Sequence, residues 1–303
     1  MKRGAVIGIV IGAVVVAAGA GIAAWALTRP PAPSDVALTY LKALENGDAA
    51  TALDQTSADD EAAAQARTAF SGAAVRPADA RVGGTREDAG TATVEVAYAL
   101  DGTDVAATLT LHQEDGGWRI SDGLGAVAAT ATMGAAVAIG DLVVPTGGGP
   151  VRLLPARYDV VAAPTEVLTG STTVDVAPGA DVPAAVEASL SPDAIATVQA
   201  QVDAYAEACA QPATTVPANC GLKVPWGADL STLTSLDFRI EKTPQVTLSA
   251  DATSFDATGG AMVATARGTS RTGGNGAFTY RADDWALRGS VSFDGAQLVL
   301  AVR

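Results

Sequence analysis

Residues 91–120 read TATVEVAYALDGTDVAATLTLHQEDGGWRI, and this stretch decides the fold class of the region around it. In its first third, small or polar side chains alternate with apolar ones: Thr91, Thr93, Glu95 and Ala97 against Val94, Val96 and Tyr98. A period of two is typical of strands with one buried face. Asp101-Gly102 and Gly116-Gly117 are hairpin signals. The stretch therefore predicts an antiparallel meander whose later strands are Val105 to His112 and Trp118 to Ile120.

The sequence before the meander predicts helices. Ser34 is placed to cap the first, whose apolar side chains fall on one face: Val36, Tyr40, Leu41 and Leu44. Gly47 ends this helix, and Asp48 caps a short second one that extends to Leu53. Residues 59–70, DDEAAAQARTAF, predict a third helix.

Two phrases in this region resemble a known family. They are YLKALENGDA at residues 40–49, within the helices, and GWRISD at residues 117–122, at the closing strand. Residues 34–124 therefore resemble the nuclear-transport-factor-2-like α+β cone, and are similar to extracytoplasmic, membrane-anchored actinobacterial proteins of unknown function. The resemblance implies helices packed on a curved sheet. It leaves the activity open, because that fold carries enzymes, binding modules and structural units.

The middle of the chain predicts strands. Residues 125–134, GAVAATATMG, are interpreted as a connection made of small residues. Residues 135–180 predict a small all-β module, with short apolar runs separated by Gly147-Gly148-Gly149-Pro150 and by further prolines.

The last third predicts a helix followed by a second antiparallel sheet. Ser191-Pro192 favours a helix start with serine as cap and proline in the first turn. Five side chains then recur at spacings of three or four: Ile195, Val198, Val202, Tyr205 and Cys209. The strands expected after Phe238 are separated by Gly259-Gly260, by residues 273–276 and by Asp294-Gly295. Helix followed by meander thus occurs twice in the chain, without residue-level identity between the two halves.

The chain has two cysteines, Cys209 and Cys220. Outside the cytoplasm, two cysteines this close in sequence predict a disulfide. A metal site is the alternative interpretation, but two cysteines and the distant His112 do not make a four-ligand set. We therefore expect neither a metal nor another cofactor.

The N-terminal segment predicts the compartment. Residues 4–27 carry no charge and are long enough to span a bilayer as a helix. Lys2 and Arg3 precede the segment, so the positive-inside rule puts the N-terminus in the cytoplasm and residues 30–303 outside the cell membrane. Cleavage after Ala26 is the alternative, since Ala24-Trp25-Ala26 fits a signal peptidase site.

Three glycines of the apolar segment share one helical face: Gly4, Gly8 and Gly12. Small residues at this spacing let two membrane helices approach closely, so a homodimer through the segment is one interpretation. The chain has 33 acidic against 19 basic residues and a net charge of −14. Such a surface repels phosphate backbones, so we expect no nucleic-acid partner.

His112, the only histidine, is the single candidate for a catalytic base. The other interpretation is an exposed residue at the end of a strand. The acidic runs at residues 59–61, 114–115 and 283–284 lack the ligand spacing of a calcium loop. Gly147-Gly148-Gly149 lacks the Lys-Ser/Thr of a phosphate loop.

These patterns predict an α+β protein in four parts. Residues 1–33 form a cytoplasmic tip, a transmembrane helix and a proline-rich linker; residues 34–124 form the cone, 135–180 the small β module, and 190–303 the C-terminal α+β domain. The expected function is a non-catalytic, extracytoplasmic binding or cell-envelope structural module with an unknown ligand. The alternatives are a pocket enzyme of the cone fold, of the hydrolase or dehydratase type, and an accessory subunit that acts through its transmembrane helix.

Overall fold

The computed structural model of the protein describes residues 31–303, which form an α+β structure made mostly of strands. The predicted membrane segment, including Gly4, Gly8 and Gly12, lies outside the described residues. Within residues 31–303, no helix is both long enough and apolar enough to cross a membrane. We describe an N-terminal region (33–120), a middle region (125–190) and a C-terminal region (194–302). The domain boundaries given above remain predictions.

Three helices open the N-terminal region: α1 (Pro33–Glu45), α2 (Ala49–Asp54) and α3 (Asp60–Ser71). The predicted cap of α2 is confirmed, because the carboxylate of Asp48 accepts from the N–H of Thr51. Helix α3 is capped in the same way by Asp59, whose carboxylate accepts from the N–H of Ala62. The prediction for α1 was wrong. Its cap is Ala32, whose N–H donates to Asp35, because Pro33 has the fixed φ that suits the first helical position.

The predicted meander of three strands is confirmed, and one further strand precedes it, so that the antiparallel sheet has four strands in chain order. Its strands are β1 (Ala78–Asp88), β2 (Thr91–Leu100), β3 (Thr103–Glu114) and β4 (Gly117–Ile120). Strand β2 buries every second side chain, from Ala92 to Leu100, against the helices. Asp101 and Gly102 have the positive φ of a two-residue hairpin. The last turn is Asp115-Gly116, one residue earlier than predicted, and Gly117 belongs to β4.

The middle region is built of short strands. They are β5 (Gly125–Ala131), β6 (Ala136–Ile139), β7 (Leu142–Pro145), β8 (Val151–Leu153), β9 (Ala156–Ala163), β10 (Leu168–Thr169), β11 (Ser171–Val176), β12 (Asp181–Val186) and β13 (Ser189–Leu190). The sheet orders are β11-β9-β6-β7, β12-β5-β8 and β10-β13. The interpretation of residues 125–134 as a connection was wrong. Its alanines favour strand only weakly, but β12 pairs with β5 in parallel and buries Val127.

The C-terminal region combines one helix, α4 (Ala194–Cys209), with a five-stranded antiparallel sheet. The strands are β14 (Leu230–Lys242), β15 (Gln245–Leu248), β16 (Ser254–Ser270), β17 (Asn275–Asp294) and β18 (Gln297–Val302). Gly259-Gly260 was predicted to separate two strands and instead lies inside β16. The register shifts there, because Gly260 faces Trp285 across a β-bulge.

Two details of the predicted α4 were wrong. The helix begins at Ala194, and the hydroxyl of Ser191 donates to the carbonyl of Glu166 rather than capping it. Ile195 is 52% exposed. Val198, Val202 and Cys209 lie on the buried face as predicted, but Ala194 and Ala206 complete it in place of Ile195 and Tyr205.

Candidate functional site

The Cys209–Cys220 disulfide is present, as the sequence predicted, with 5.7 Å between the two Cα atoms. It ties the end of α4 to the loop that precedes β14. Both cysteines are buried. The indole N–H of the buried Trp285, on β17, donates to the carbonyl of Cys220 over 2.7 Å. Cys220 therefore connects the loop both to α4, through the disulfide, and to the sheet, through the hydrogen bond from Trp285.

Gly221 continues this loop across the face of β17. Its φ is +62°, a left-handed conformation that favours glycine. A Cβ at this position would also collide with the carbonyl oxygen of Ala286. The residues that follow, 222–225, are thereby held as a wall above the strand.

Between this wall and the sheet lies a cleft of about 900 Å³, which we call the C-terminal cleft. Lys223 and Pro225 line it from the wall, β17 lines it between Thr279 and Arg288, and Arg303 closes one side. Its volume lies within the range of small-molecule sites, about 300–1,000 Å³. The register of β17 shifts near Asp284, so a bulge lies directly in the floor of the cleft.

Four cationic side chains line the C-terminal cleft: Lys223, Arg281, Arg288 and Arg303. The one acidic residue of the lining is Asp284. Arg281 pairs with Glu241 and, over 2.6 Å, with Asp283, and these hydrogen bonds raise the pKa of its guanidinium. Arg288 pairs with Asp256 over 2.9 Å. Among residues 31–303, no ion pair involves Lys223 or Arg303.

Tyr280 supplies a neutral hydrogen-bonding group beside these charges. Desolvation raises the pKa of its phenol to about 12, and the hydrogen bond to Asp229 raises it as well. The hydroxyl donates to the Asp229 carboxylate over 2.7 Å. Tyr280 therefore stays protonated at physiological pH. It hydrogen-bonds to Asp229, which does not line the cleft.

A second cavity, of about 440 Å³, is an open groove on the N-terminal sheet. Its floor includes Ala97 and Ala106, which face each other on β2 and β3. Glu95 and Ala97 alternate with the buried Val94 and Val96, so the groove lies on the sheet face opposite to the helices. The groove exists because the side chains on this exposed sheet face are small, and Arg81 lies at one side of it.

His112 lines neither the groove nor the C-terminal cleft. It is exposed on β3, in register with Thr91 on one side and Arg119 on the other. Its Nδ1 lies 3.3 Å from the hydroxyl of Thr91. Among residues 31–303, no carboxylate or thiol forms a hydrogen bond with this imidazole, so it lacks the partner that orients a catalytic base.

The acidic runs serve local structure. Asp59 caps α3, Asp115 forms the β3–β4 turn, and Asp283 pairs with Arg281. Within the described part of the chain, no three side chains of His, Cys, Asp or Glu are grouped so as to hold a metal ion. Gly147 has the positive φ of a turn after β7. This turn leads to β8, which belongs to a different sheet, so the interpretation of the glycine run as a hairpin turn was wrong.

Comparison of the chain with protein-family models, with curated proteins and with solved structures gave no match. The resemblance to the nuclear-transport-factor-2-like cone therefore stays a prediction.

Sequence reasoning missed the C-terminal cleft. Its cations come from three separate places: the loop after the disulfide, strand β17 and the residue that follows β18. Arg281 and Arg288 were predicted to lie in two separate strands, residues 277–281 and 287–293, whereas the structure places both in β17. Lys223 lies near them because the disulfide holds its loop over β17. Arg303 lies near them because β18 pairs with β17.

Proposed function

We propose that this protein is a membrane-anchored, extracytoplasmic binding module of the cell envelope, and that its ligand site is the C-terminal cleft. The observation that carries the proposal is the construction of that cleft: its wall is held by a disulfide and by the hydrogen bond from Trp285 to Cys220. A disulfide is a stable structural element in an oxidising compartment. A site built on one belongs outside the cytoplasm.

The N-terminal segment supports the same location. An uncharged stretch at residues 4–27, after Lys2 and Arg3, fits a single-pass anchor with its N-terminus in the cytoplasm. In this proposal the proline-rich residues 30–33 lead from the membrane to α1. The acidic surface keeps the outer part soluble and away from nucleic acid. Pairing of two anchors through Gly4, Gly8 and Gly12 would present two clefts on one assembly.

The placement of His112 favours binding over catalysis. A general base must reach a substrate proton in a site that orients the substrate. His112 is exposed on a sheet and lies outside both described cavities. In this proposal the N-terminal region, with its three helices on a four-stranded meander, is the scaffold that connects the anchor to the rest of the protein.

Topology in intact cells tests the proposal. We expect an accessibility tag after Arg303 to be labelled from outside, and external protease to leave only a small N-terminal fragment. A cytosolic enzyme that stays unlabelled is the control for lysis. Labelling that requires lysis would overturn the proposal. Release of the outer part into the medium, with a new N-terminus after Ala26, would keep the compartment and replace the anchor by a cleaved signal.

A further inference from the structure

We propose that the C-terminal cleft binds a soluble ligand that carries two or more phosphate or carboxylate groups; this inference rests on the proposed function and names the chemistry of its ligand. The protein is acidic, with a net charge of −14, yet four of its 19 lysine and arginine side chains line this one cavity. A cleft with cationic walls raises the local concentration of anions, whatever the sign of the net charge.

The strongest element of the site is an arginine pair across two strands. Gly289 on β17 is in register with Val302 on β18, and the N–H of Arg303 donates to the carbonyl of Arg288 over 2.9 Å. Arg288 and Arg303 are therefore directly opposite and project from the same face of the sheet. Like charges in this position repel each other unless an anion lies between them. Asp256 pairs with Arg288 from the far side and leaves Arg303 unpaired among the described residues.

The guanidinium groups retain free donors for such an anion. Arg288 uses its Nε toward Asp256, so both of its terminal nitrogens remain. Arg281 uses Nε and Nη1 toward Asp283 and Glu241, so Nη2 remains. Planar guanidinium groups bind carboxylate and phosphate oxygens in pairs, and these hydrogen bonds are stronger than neutral ones. The existing ion pairs fix the side chains and still leave this capacity.

Lys223 provides a cation on the opposite wall. It is exposed and lies two residues beyond Gly221, on the loop that the disulfide and Trp285 hold in place. A compact ammonium group suits a point contact with phosphate or carboxylate. The cleft therefore offers cationic groups from two sides rather than along one flat surface.

The spacing of the charges indicates a ligand larger than one free anion. Arg281 and Arg288 are seven positions apart on β17, roughly 20 Å along an extended strand. Asp284 lies between them and repels an anion at the centre of the floor. A compact polyanion therefore binds at the Arg288 and Arg303 end of the cleft, away from Asp284, whereas a longer ligand with separate anionic groups also reaches Arg281.

Calorimetric titration of the full chain in a neutral detergent, at low ionic strength, tests this inference. The probes are tripolyphosphate and citrate, with the neutral maltotriose as the uncharged probe. We expect tripolyphosphate, citrate or both to bind, and the double variant Arg288→Gln/Arg303→Gln to lose roughly tenfold or more in affinity, as two charge-assisted contacts predict. Binding of only one of these two anions would show whether the ligand carries phosphate or carboxylate groups, and would support the inference.

The double variant Arg152→Gln/Arg267→Gln is the matched control, because it removes the same number of charges. Arg152 on β8 and Arg267 on β16 are both exposed, and neither lines the cleft. We expect this variant to bind the probes as the wild type does. An equal loss in Arg152→Gln/Arg267→Gln would show general charge attraction and overturn the inference. Absence of binding by both anions would also overturn it. Binding of maltotriose alone would overturn the inference and leave the proposed binding function in place. Melting curves show whether each variant is folded.

Discussion

The N-terminal and C-terminal regions both place helix before meander, but they are closed in different ways. Three helices, α1 to α3, cover one face of the four-stranded N-terminal sheet and bury large side chains such as Tyr40 and Phe70. In the C-terminal region a single helix of 16 residues accompanies a five-stranded sheet whose longest strand has 20 residues.

One helix is too short to cover strands of that length, so the buried side chains of the C-terminal region fall into two clusters. Leu230, Leu236 and Ala266 form a small cluster of their own, separate from the large one that runs through the rest of the described chain. A small core needs an additional constraint, and the disulfide supplies it. The same order of elements is thus covered by three helices in one region, and in the other by one helix whose end a disulfide holds to the following loop. The cleft lies where the cover ends.

Truncation of one buried aromatic side chain in each region tests this difference with the largest expected effect. We expect Phe70→Ala and Trp285→Ala each to lower the free energy of unfolding by about 3–5 kcal/mol, because both side chains are fully buried. Only Trp285→Ala should also release the disulfide loop. Chemical denaturation measures the first effect, and amide exchange in residues 220–225 measures the second.

Trp285→Phe is the control for the hydrogen bond. It keeps an aromatic ring and removes the N–H that donates to Cys220, so we expect a loss of about 1–2 kcal/mol. If Trp285→Ala left exchange in residues 220–225 unchanged, the tryptophan would not fasten the wall of the cleft.

Removal of the disulfide should affect only the C-terminal region. We expect the double variant Cys209→Ala/Cys220→Ala to lose up to about 3 kcal/mol, as closure of a loop of this size predicts. Amide exchange should rise in residues 205–225 and stay unchanged in residues 33–120. Protein from outside the cytoplasm should contain no thiol that can be alkylated before reduction. Two reactive thiols in the unreduced, denatured protein would contradict the bridge.

The two regions also differ in how far the sequence predicted them. Strands β2 to β4 of the N-terminal sheet were predicted to within two residues at each end, because β2 alternates strictly and Asp101-Gly102 defines its turn. Strand β1 was not predicted, since its side chains do not alternate in this way. The C-terminal strands were predicted too short, because Gly259-Gly260 is typical of a turn and only the pairing with Trp285 makes it a bulge. Strand β5 was missed since its alanines carry little pattern. The strand exists because β12, more than 50 residues later, pairs with it.

In the candidate site, too, local features were predicted and long-range ones were missed. The disulfide, a contact between residues 11 positions apart, was predicted from the sequence. The cleft depends on Lys223, Arg288 and Arg303, which tertiary structure brings together. Local patterns reveal elements and near contacts, whereas a site built from three separated segments has no local signal.

The pH dependence of the unfolding free energy tests how α1 is held to the N-terminal sheet, and the expected effect is smaller. Burial by itself would raise the pKa of Glu45, but the N–H of Ala80, at 2.6 Å, and the ammonium of Lys42 together hold it below its ordinary value. A lowered folded pKa stabilises the protein above the unfolded value, about 4.3, and the contribution is lost as the pH falls through the folded value. Glu45 joins α1 to β1, so the loss should weaken the helical cover.

We expect Glu45→Gln to remove this component, which amounts to at most about 1 kcal/mol because Lys42 is half exposed. The difference in unfolding free energy between wild type and variant should shrink between neutral pH and about pH 3. Glu87→Gln, at the exposed end of β1, is the control and should leave the unfolding free energy at neutral pH unchanged. A constant difference across the whole range would mean that the carboxylate does not titrate with folding.

The smallest expected effect belongs to His112, and it decides which region carries function. The side chain is exposed on β3, and its one hydrogen bond, between Nδ1 and Thr91, is 3.3 Å long. Substitutions at such positions change stability little, so we expect His112→Gln to alter the free energy of unfolding by less than about 0.5 kcal/mol. Because the imidazole lies outside the C-terminal cleft, the variant should also bind tripolyphosphate or citrate as the wild type does, whereas Arg288→Gln/Arg303→Gln should not. A loss of roughly 100-fold in any turnover by His112→Gln, with the fold intact, would make the imidazole catalytic. The functional site would then lie on the N-terminal sheet, and the C-terminal region would be the support.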